Sequence, residues 1–230
     1  DVKDCQLACP YHGWTYDRDG TLTRVGHELF GGSLPKAKLR SYPVQVKYGL
    51  IWIFFGDRAL MSERPMPAIA ELDASPPWVT VPLDFEIACH PTAIINNVMD
   101  STHVASLHRT FRTRSLIYGK LSSCESEGDS VRVSHEIEMD PGGLLRFMVN
   151  PLEHGGQTAT YEYPYLRVSV GGVYGLWNFM LPMGPRKTRL FLLAISDRMK
   201  IPFTPWLVPH RLIDKFMPLA KEGIARPLFA

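Results

Sequence analysis

Cys9-Pro10-Tyr11-His12-Gly13-Trp14, with Thr15-Tyr16-Asp17 behind it, places a thiol and an imidazole three positions apart in a chain of 230 residues that has only four cysteines. Thiolate and imidazole are borderline-soft donors that suit zinc and iron, and this spacing lets both point inward from one tight loop. Pro10 stiffens the loop, Gly13 permits a turn closed to other residues, and Tyr11, Trp14 and Tyr16 can shield a metal centre from water. A bare Cys-x2-His is a weak signal, and a buried cysteine beside a structural histidine satisfies it equally well. The surrounding text has to decide.

Working outward, Thr15 to Thr23 carries strand formers on both sides of Asp19-Gly20, which predicts a tight hairpin. Tyr42 to Val46 alternates, Lys47-Tyr48-Gly49 turns, and Leu50 to Phe55 is a continuous β-branched and aromatic run, which predicts a second hairpin with a well-buried strand. Residues 1–57 thus read as part of a small all-β domain. Residues 58–77, rich in proline and charge and without periodicity, read as a linker.

Beyond it, residues 78–230 read as an α+β domain. Trp78 to Ala88 is strand-like and Ile94 to Leu107 helical. Strands follow at Ser130–Glu138, Leu145–Val149, Thr158–Val170, Tyr174–Leu181 and Arg189–Ile195, and a proline-interrupted helical stripe runs from Pro205 to Leu228. Turns at 141–143, 171–172 and 182–185 suit a meandering antiparallel sheet. Such a sheet can curve around a pocket, for which Phe147, Val149, Tyr174, Leu176, Trp177 and Phe179 are lining candidates.

Composition narrows the class. With 25 basic and 23 acidic residues in no long run, nothing suggests a basic patch for nucleic acid or a membrane surface. No apolar run reaches spanning length, and four cysteines, two of them near a histidine, point to metal chemistry in a reducing cytoplasm rather than a disulfide scaffold.

A second constellation lies at Ile94 to Arg109: Asn97, Asp100, His103 and His108. An i,i+3 contact explains Asp100 with His103 but leaves His108 without a role. Two imidazoles and a carboxylate make the facial triad of non-haem iron(II) oxygenases. On a regular helix His103 and His108 would diverge by about 140°, so convergence needs a wide turn or a break between them, with Ser106 as its expected place.

Together the two constellations resemble the Rieske non-haem iron oxygenases, α (oxygenase) subunit. Cys-Pro-Tyr-His-Gly-Trp before a hairpin is similar to the second ligand loop of a Rieske domain, and Asn-x2-Asp-x2-His-x4-His is similar to the family's mononuclear iron motif. The resemblance implies a partial all-β Rieske domain followed by a helix-grip (START-like) catalytic domain with a curved antiparallel sheet. It implies a [2Fe-2S] cluster held in part by Cys9 and His12, and a mononuclear non-haem Fe(II) held by His103 and His108. Asp100 would bridge to the cluster histidine of a neighbouring subunit in a homotrimer, and Asn97 would sit near the iron. It implies O2, an aromatic or alicyclic small-molecule substrate, and electrons from a reductase or ferredoxin, with hydroxylation, dihydroxylation or oxidative demethylation as outcomes.

Two pieces of the pattern are missing. The first ligand loop, Cys-x-His, is expected before Asp1, since Cys5 is followed by Gln6 and Leu7. The third iron ligand, a carboxylate, is expected beyond Ala230, because Asp197, Asp214 and Glu222 stand in unmatched context. Two alternatives remain: a zinc-stabilised module using Cys5, Cys9 and His12, and a non-catalytic carrier of hydrophobic ligands. His90, His135, His154 and His210 carry no partner pattern and read as structural or surface residues.

Overall fold

The computed structural model describes residues 1–26, 33–75, 77–103, 116–139, 156–172 and 174–196, with 116–119 and 137–139 described by their backbone. It divides into two units, Asp1–Ile69 and Ala70–Ala230. The division falls inside the proline-rich passage, which carries a 3₁₀ turn at Arg58–Leu60, capped by Asp57, and a short helix α1 at Ala70–Asp73.

In the first unit, β1 (Val2–Lys3), β2 (Gln6–Ala8), β3 (Thr15–Tyr16) and β4 (Leu22–Arg24) form an antiparallel sheet in sequence order. The predicted Asp-Gly hairpin joins β3 to β4. Asp17 Oδ1 accepts from the Asp19 N–H at 2.9 Å and the Thr21 N–H at 2.8 Å, so the side chain itself templates the turn. Gly20 needs to be glycine twice over: its φ is +79°, and a Cβ there would strike the Leu39 carbonyl oxygen.

The second hairpin is also present, as β5 (Val44–Lys47) and β6 (Leu50–Ile53) joined through Tyr48 and Gly49. Both turn residues have positive φ, 59° and 73°, the pairing that matches strand twist. Its burial differs from expectation. Ile51 is 72% exposed and β6 alternates between half-buried and exposed positions. A two-stranded ribbon offers one covered face at most, so a continuous apolar run cannot be buried on both sides.

The second unit is built on a seven-stranded antiparallel sheet. Its strands are β7 (Val79–Ile87), β8 (Leu116–Glu127), β9 (Ser130–Met139), β10 (Gln157–Glu162), β11 (Tyr165–Val170), β12 (Tyr174–Gly184) and β13 (Lys187–Ser196), in the spatial order β7-β13-β12-β11-β10-β9-β8. β8 to β13 form a meander, and β7 joins its far end beside β13. The chain from β7 to β8 must therefore cross the whole sheet, about 29 Å at 4.8 Å per strand. Helix α2 (Pro91–Met99) lies on that crossing and packs against β10 and β12.

Register separates the two faces of this sheet. Leu83, Leu190, Leu192 and Ala194 gather on one face as a buried core, with Val81, Phe85, Ile87, Leu176 and Met180 packed on it. The other face carries the ion pairs Arg189–Asp84 at 2.7 Å and Lys187–Glu86 at 2.6 Å. There Lys187, through its hydrogen bond and then its charge, holds the Glu86 carboxyl below its usual range.

Several boundaries differ from the sequence reading. The single run 158–170 is two strands, β10 and β11, because Tyr163-Pro164 turns the chain between them and proline cannot donate to a ladder. β12 runs on through the expected turn at 182–185, absorbing it as a bulge between Pro182 and Gly184. β8 was not anticipated: its second half, Ser122 to Glu127, is polar, as suits an edge strand broken by two irregularities. Of the helix expected over 94–107, α2 covers 94–99 and begins earlier, at Pro91, while 104–107 lie outside the described residues. The expected strand 145–149 and the C-terminal helical stripe lie outside the described residues.

Candidate functional site

The loop between β2 and β3 is closed by the backbone. The Cys9 N–H donates to Trp14 O at 2.8 Å and the Gly13 N–H donates to Cys9 O at 2.9 Å, so Cys9 and His12 sit on one short, pinned arc. Cys9 is half-buried and His12 exposed, with the Tyr11 ring 3.8 Å from the imidazole. Gly13 adopts φ +70°, as its place in the turn demands. Gly26, from the segment after β4, closes the arc from behind: a Cβ there would collide with the His12 carbonyl oxygen. No local sequence signal connects position 26 to position 12, and Gly26 was missed for that reason.

One soft thiolate and one imidazole on a single rigid arc fit half of the two-cysteine, two-histidine donor set of a Rieske cluster. Cys5 does not complete a zinc site with them. Asp4 and Cys5, at φ 51° and 59°, are the two-residue turn between β1 and β2. Extended β2 then separates Cys5 from Cys9 by about 13 Å, whereas zinc holds each of its sulfurs at about 2.3 Å.

The second constellation is organised by the end of α2. His90 caps the helix, accepting from the Thr92 N–H, and Pro91 opens the first turn; the role of His90 is thus structural, as expected. Asn97 is exposed on α2. The helix stops at Asp100, which is extended (φ −91°, ψ 95°) while its N–H still donates to Asn96 O. Its carboxylate holds the bend, Oδ1 accepting from Thr102 Oγ1 at 2.6 Å and from the Thr102 N–H at 2.9 Å. These two bonds, the hydroxyl first, lower the Asp100 pKa, and nearby His103 and His135 lower it further.

Helical geometry resumes at His103, whose Nδ1 meets the Asp100 carbonyl oxygen. With Nδ1–H donating there, the lone pair belongs to Nε2, the orientation expected of a metal-ligating imidazole. Helix α2 thus ends before His103. Ser106, where the sequence reading put a break, and His108 lie outside the described residues. So do Phe147, Val149, His154, Asp197, His210, Asp214 and Glu222.

Among the other pocket candidates, Trp177 and Phe179 are buried with stacked rings on the face that bears Arg167, and Tyr174 and Leu176 project to the opposite face. Thr102 and His135 were not singled out by the sequence. The Asp-x-Thr pattern is a legible turn signal, whereas the contact of His135 with this bend depends on the sheet.

Residues 87–199 match the family described as vanillate O-demethylase oxygenase C-terminal domain. A 4β-methylsterol monooxygenase of Methylococcus capsulatus (strain Bath) is 34% identical over 99% of this chain and 62% of its own length. A vanillate O-demethylase oxygenase subunit of Pseudomonas sp. is 30% identical over 64% of the chain and 40% of its own length. The chain belongs to the Rieske non-haem iron oxygenases. It spans less than two thirds of the length of these relatives. Two solved members of this family share the fold. Dicamba monooxygenase bound to dicamba superposes with TM-score 0.64 at 16% identity, over 85% of this chain and 61% of that one. NdmA of Pseudomonas putida CBB5 with caffeine superposes with TM-score 0.62 at 19% identity, over 96% and 63%. Partial Rieske sheet, then antiparallel catalytic sheet crossed by a helix, is the Rieske oxygenase order. No helix among the described residues is long and apolar enough to cross a membrane.

Proposed function

We propose that this chain is the oxygenase component of a Rieske system, taking electrons from a reductase or ferredoxin and using O2 to monooxygenate a methyl group carried by an apolar ring compound. Residues 1–57 serve as the cluster domain, 58–77 as the linker and 78–230 as the catalytic domain. A relative similar along almost the whole chain is named for a methylsterol, and some of those similar along a shorter part are named for O-demethylation. That distribution favours an alicyclic over an aromatic substrate, and monooxygenation over ring dihydroxylation.

When bound, the [2Fe-2S] cluster supplies single electrons and the mononuclear iron supplies open coordination positions for O2. Cys9 and His12 are the cluster ligands from this chain, and His103 and His108 the iron ligands. Asp100, its Oδ1 held by Thr102, presents its other oxygen to the His12 imidazole of a neighbouring copy in a homotrimer. Asn97, one turn earlier, lies on the approach to that contact.

The observation that carries the reading is the bend at Asp100, which brings a carboxylate of lowered pKa onto one turn with an imidazole whose Nδ1 meets the Asp100 carbonyl oxygen. The test is metal content of the full-length protein purified without oxygen. Acid-labile sulfide with visible cluster absorption is expected, together with one further iron that His103→Ala and His108→Ala each remove while the cluster absorption stays. Zinc without labile sulfide would sink the reading.

A further inference from the structure

The strand register lines up one row of side chains across the end of the large sheet: His135 on β9, Gln157 on β10, Val170 on β11, Tyr174 on β12, Ser196 on β13 and Val79 on β7. Residues opposite one another in antiparallel strands project to the same face, so this row is continuous. The next row on that face is Val133, Ala159, Val168, Leu176, Ala194 and Val81, wholly apolar. Neither row contains a lysine, arginine, aspartate or glutamate. A polar edge thus borders an apolar floor.

His135 and Gln157 stand opposite each other in that edge, and both are taken out of water, at 6% and 9% exposure. The His135 Nδ1 is buried with no hydrogen-bond partner among the described residues. An orphaned polar atom in such a place is costly and calls for a partner. Its position narrows the choice, since the charge of His135 acts on Asp100, which puts this end of the row near the bend that carries His103. Ser101 Oγ, at the same bend, is likewise buried and unpartnered among the described residues. Along the row, burial pushes the Tyr174 phenol up to about 12.

We propose that His135 and Gln157 form the polar end of the substrate site and recognise a neutral hydroxyl or carbonyl oxygen on an otherwise apolar ring system. The inference rests on the oxygenase reading and adds the recognition element to it. Neither row offers a lysine or arginine to neutralise a buried carboxylate or phosphate. A hydroxyl can satisfy both partners at once, donating to an imidazole nitrogen and accepting from the amide NH2. The apolar row beside it suits the ring body. This end would fix which carbon of the ring system lies toward His103.

The test is equilibrium binding, under nitrogen and without turnover, of 4β-methylsterol and of its counterpart with the ring hydroxyl replaced by hydrogen, to the full-length holoenzyme. The hydroxylated compound is expected to bind roughly tenfold to a hundredfold tighter, the range of one buried hydrogen bond left unmade. His135→Leu and Gln157→Leu should each cut that preference to about threefold or less while leaving affinity for the deoxy compound unchanged, which also reports an intact fold. Equal affinity of the unaltered enzyme for both compounds overturns the proposal and leaves the oxygenase reading standing, and this comparison needs no variant to fold. A preference that survives both substitutions overturns it too. Binding of neither compound overturns the alicyclic reading and the proposal with it.

Discussion

Asp100 is exposed, yet its carboxyl is held below the ordinary carboxylate range because Thr102 donates twice to one oxygen. A carboxyl with a depressed folded-state pKa contributes stability that is present above its unfolded value and lost as pH falls through the folded one. The same two bonds both fall on Oδ1. Thr102→Val removes the hydroxyl donor and is expected to raise the Asp100 pKa toward the model-peptide value of about 3.9, whereas Thr102→Ser should keep it low. Carboxyl carbon shifts followed by NMR through an acid titration of metal-free protein read this directly, and a Val variant with an unmoved midpoint would show that the hydroxyl is idle.

Among the elements, the arc from Cys9 to Trp14 shows how a ligand loop is made rigid without large side chains. Backbone bonds close it, and Gly26 backs onto the His12 peptide so closely that no Cβ fits. Gly26→Ala should therefore displace His12 and lose most of the cluster's visible absorption, while circular dichroism from the large sheet stays as it was. Full retention of the absorption would mean that the loop has slack. Helix α2 illustrates the opposite case, an element ended by a side chain: Asp100 accepts from Thr102 and so turns the chain before His103. A helix carried straight through from 94 to 107 would have set His103 and His108 on diverging sides.

Across the whole catalytic sheet, pairing is local except at one place. β8 to β13 follow one another, but β7 joins β13 at a sequence separation of about a hundred residues, as the contact of Thr188 Oγ1 with Cys89 O also shows. Leu166, Leu193, Ile195 and Asn178, all almost without exposure, lie on β11, β12 and β13. Asn178 closes its own account there by donating to Leu166 O at 3.0 Å. Amide exchange is accordingly expected to be slowest in β11, β12 and β13 and fastest in edge strand β8 and the ribbon β5–β6. Protection of β8 equal to that of β12 would contradict this order.

Sequence alone was enough for what is encoded locally. Asp19-Gly20 and Tyr48-Gly49 announced their hairpins because turn chemistry acts within four residues, and Cys9, His12, Asn97, Asp100, His103 and His108 stood out through spacing along the chain. Tertiary structure decided everything that depends on residues far apart in sequence. It set β7 beside β13, closed Gly26 on His12, separated Cys5 from Cys9 by extended β2, and ended α2 at Asp100. It also brought His135 near that end. The reason is physical: hairpins and caps are fixed by short-range sterics and hydrogen bonds, whereas register and close backbone approach exist only once distant strands share a sheet.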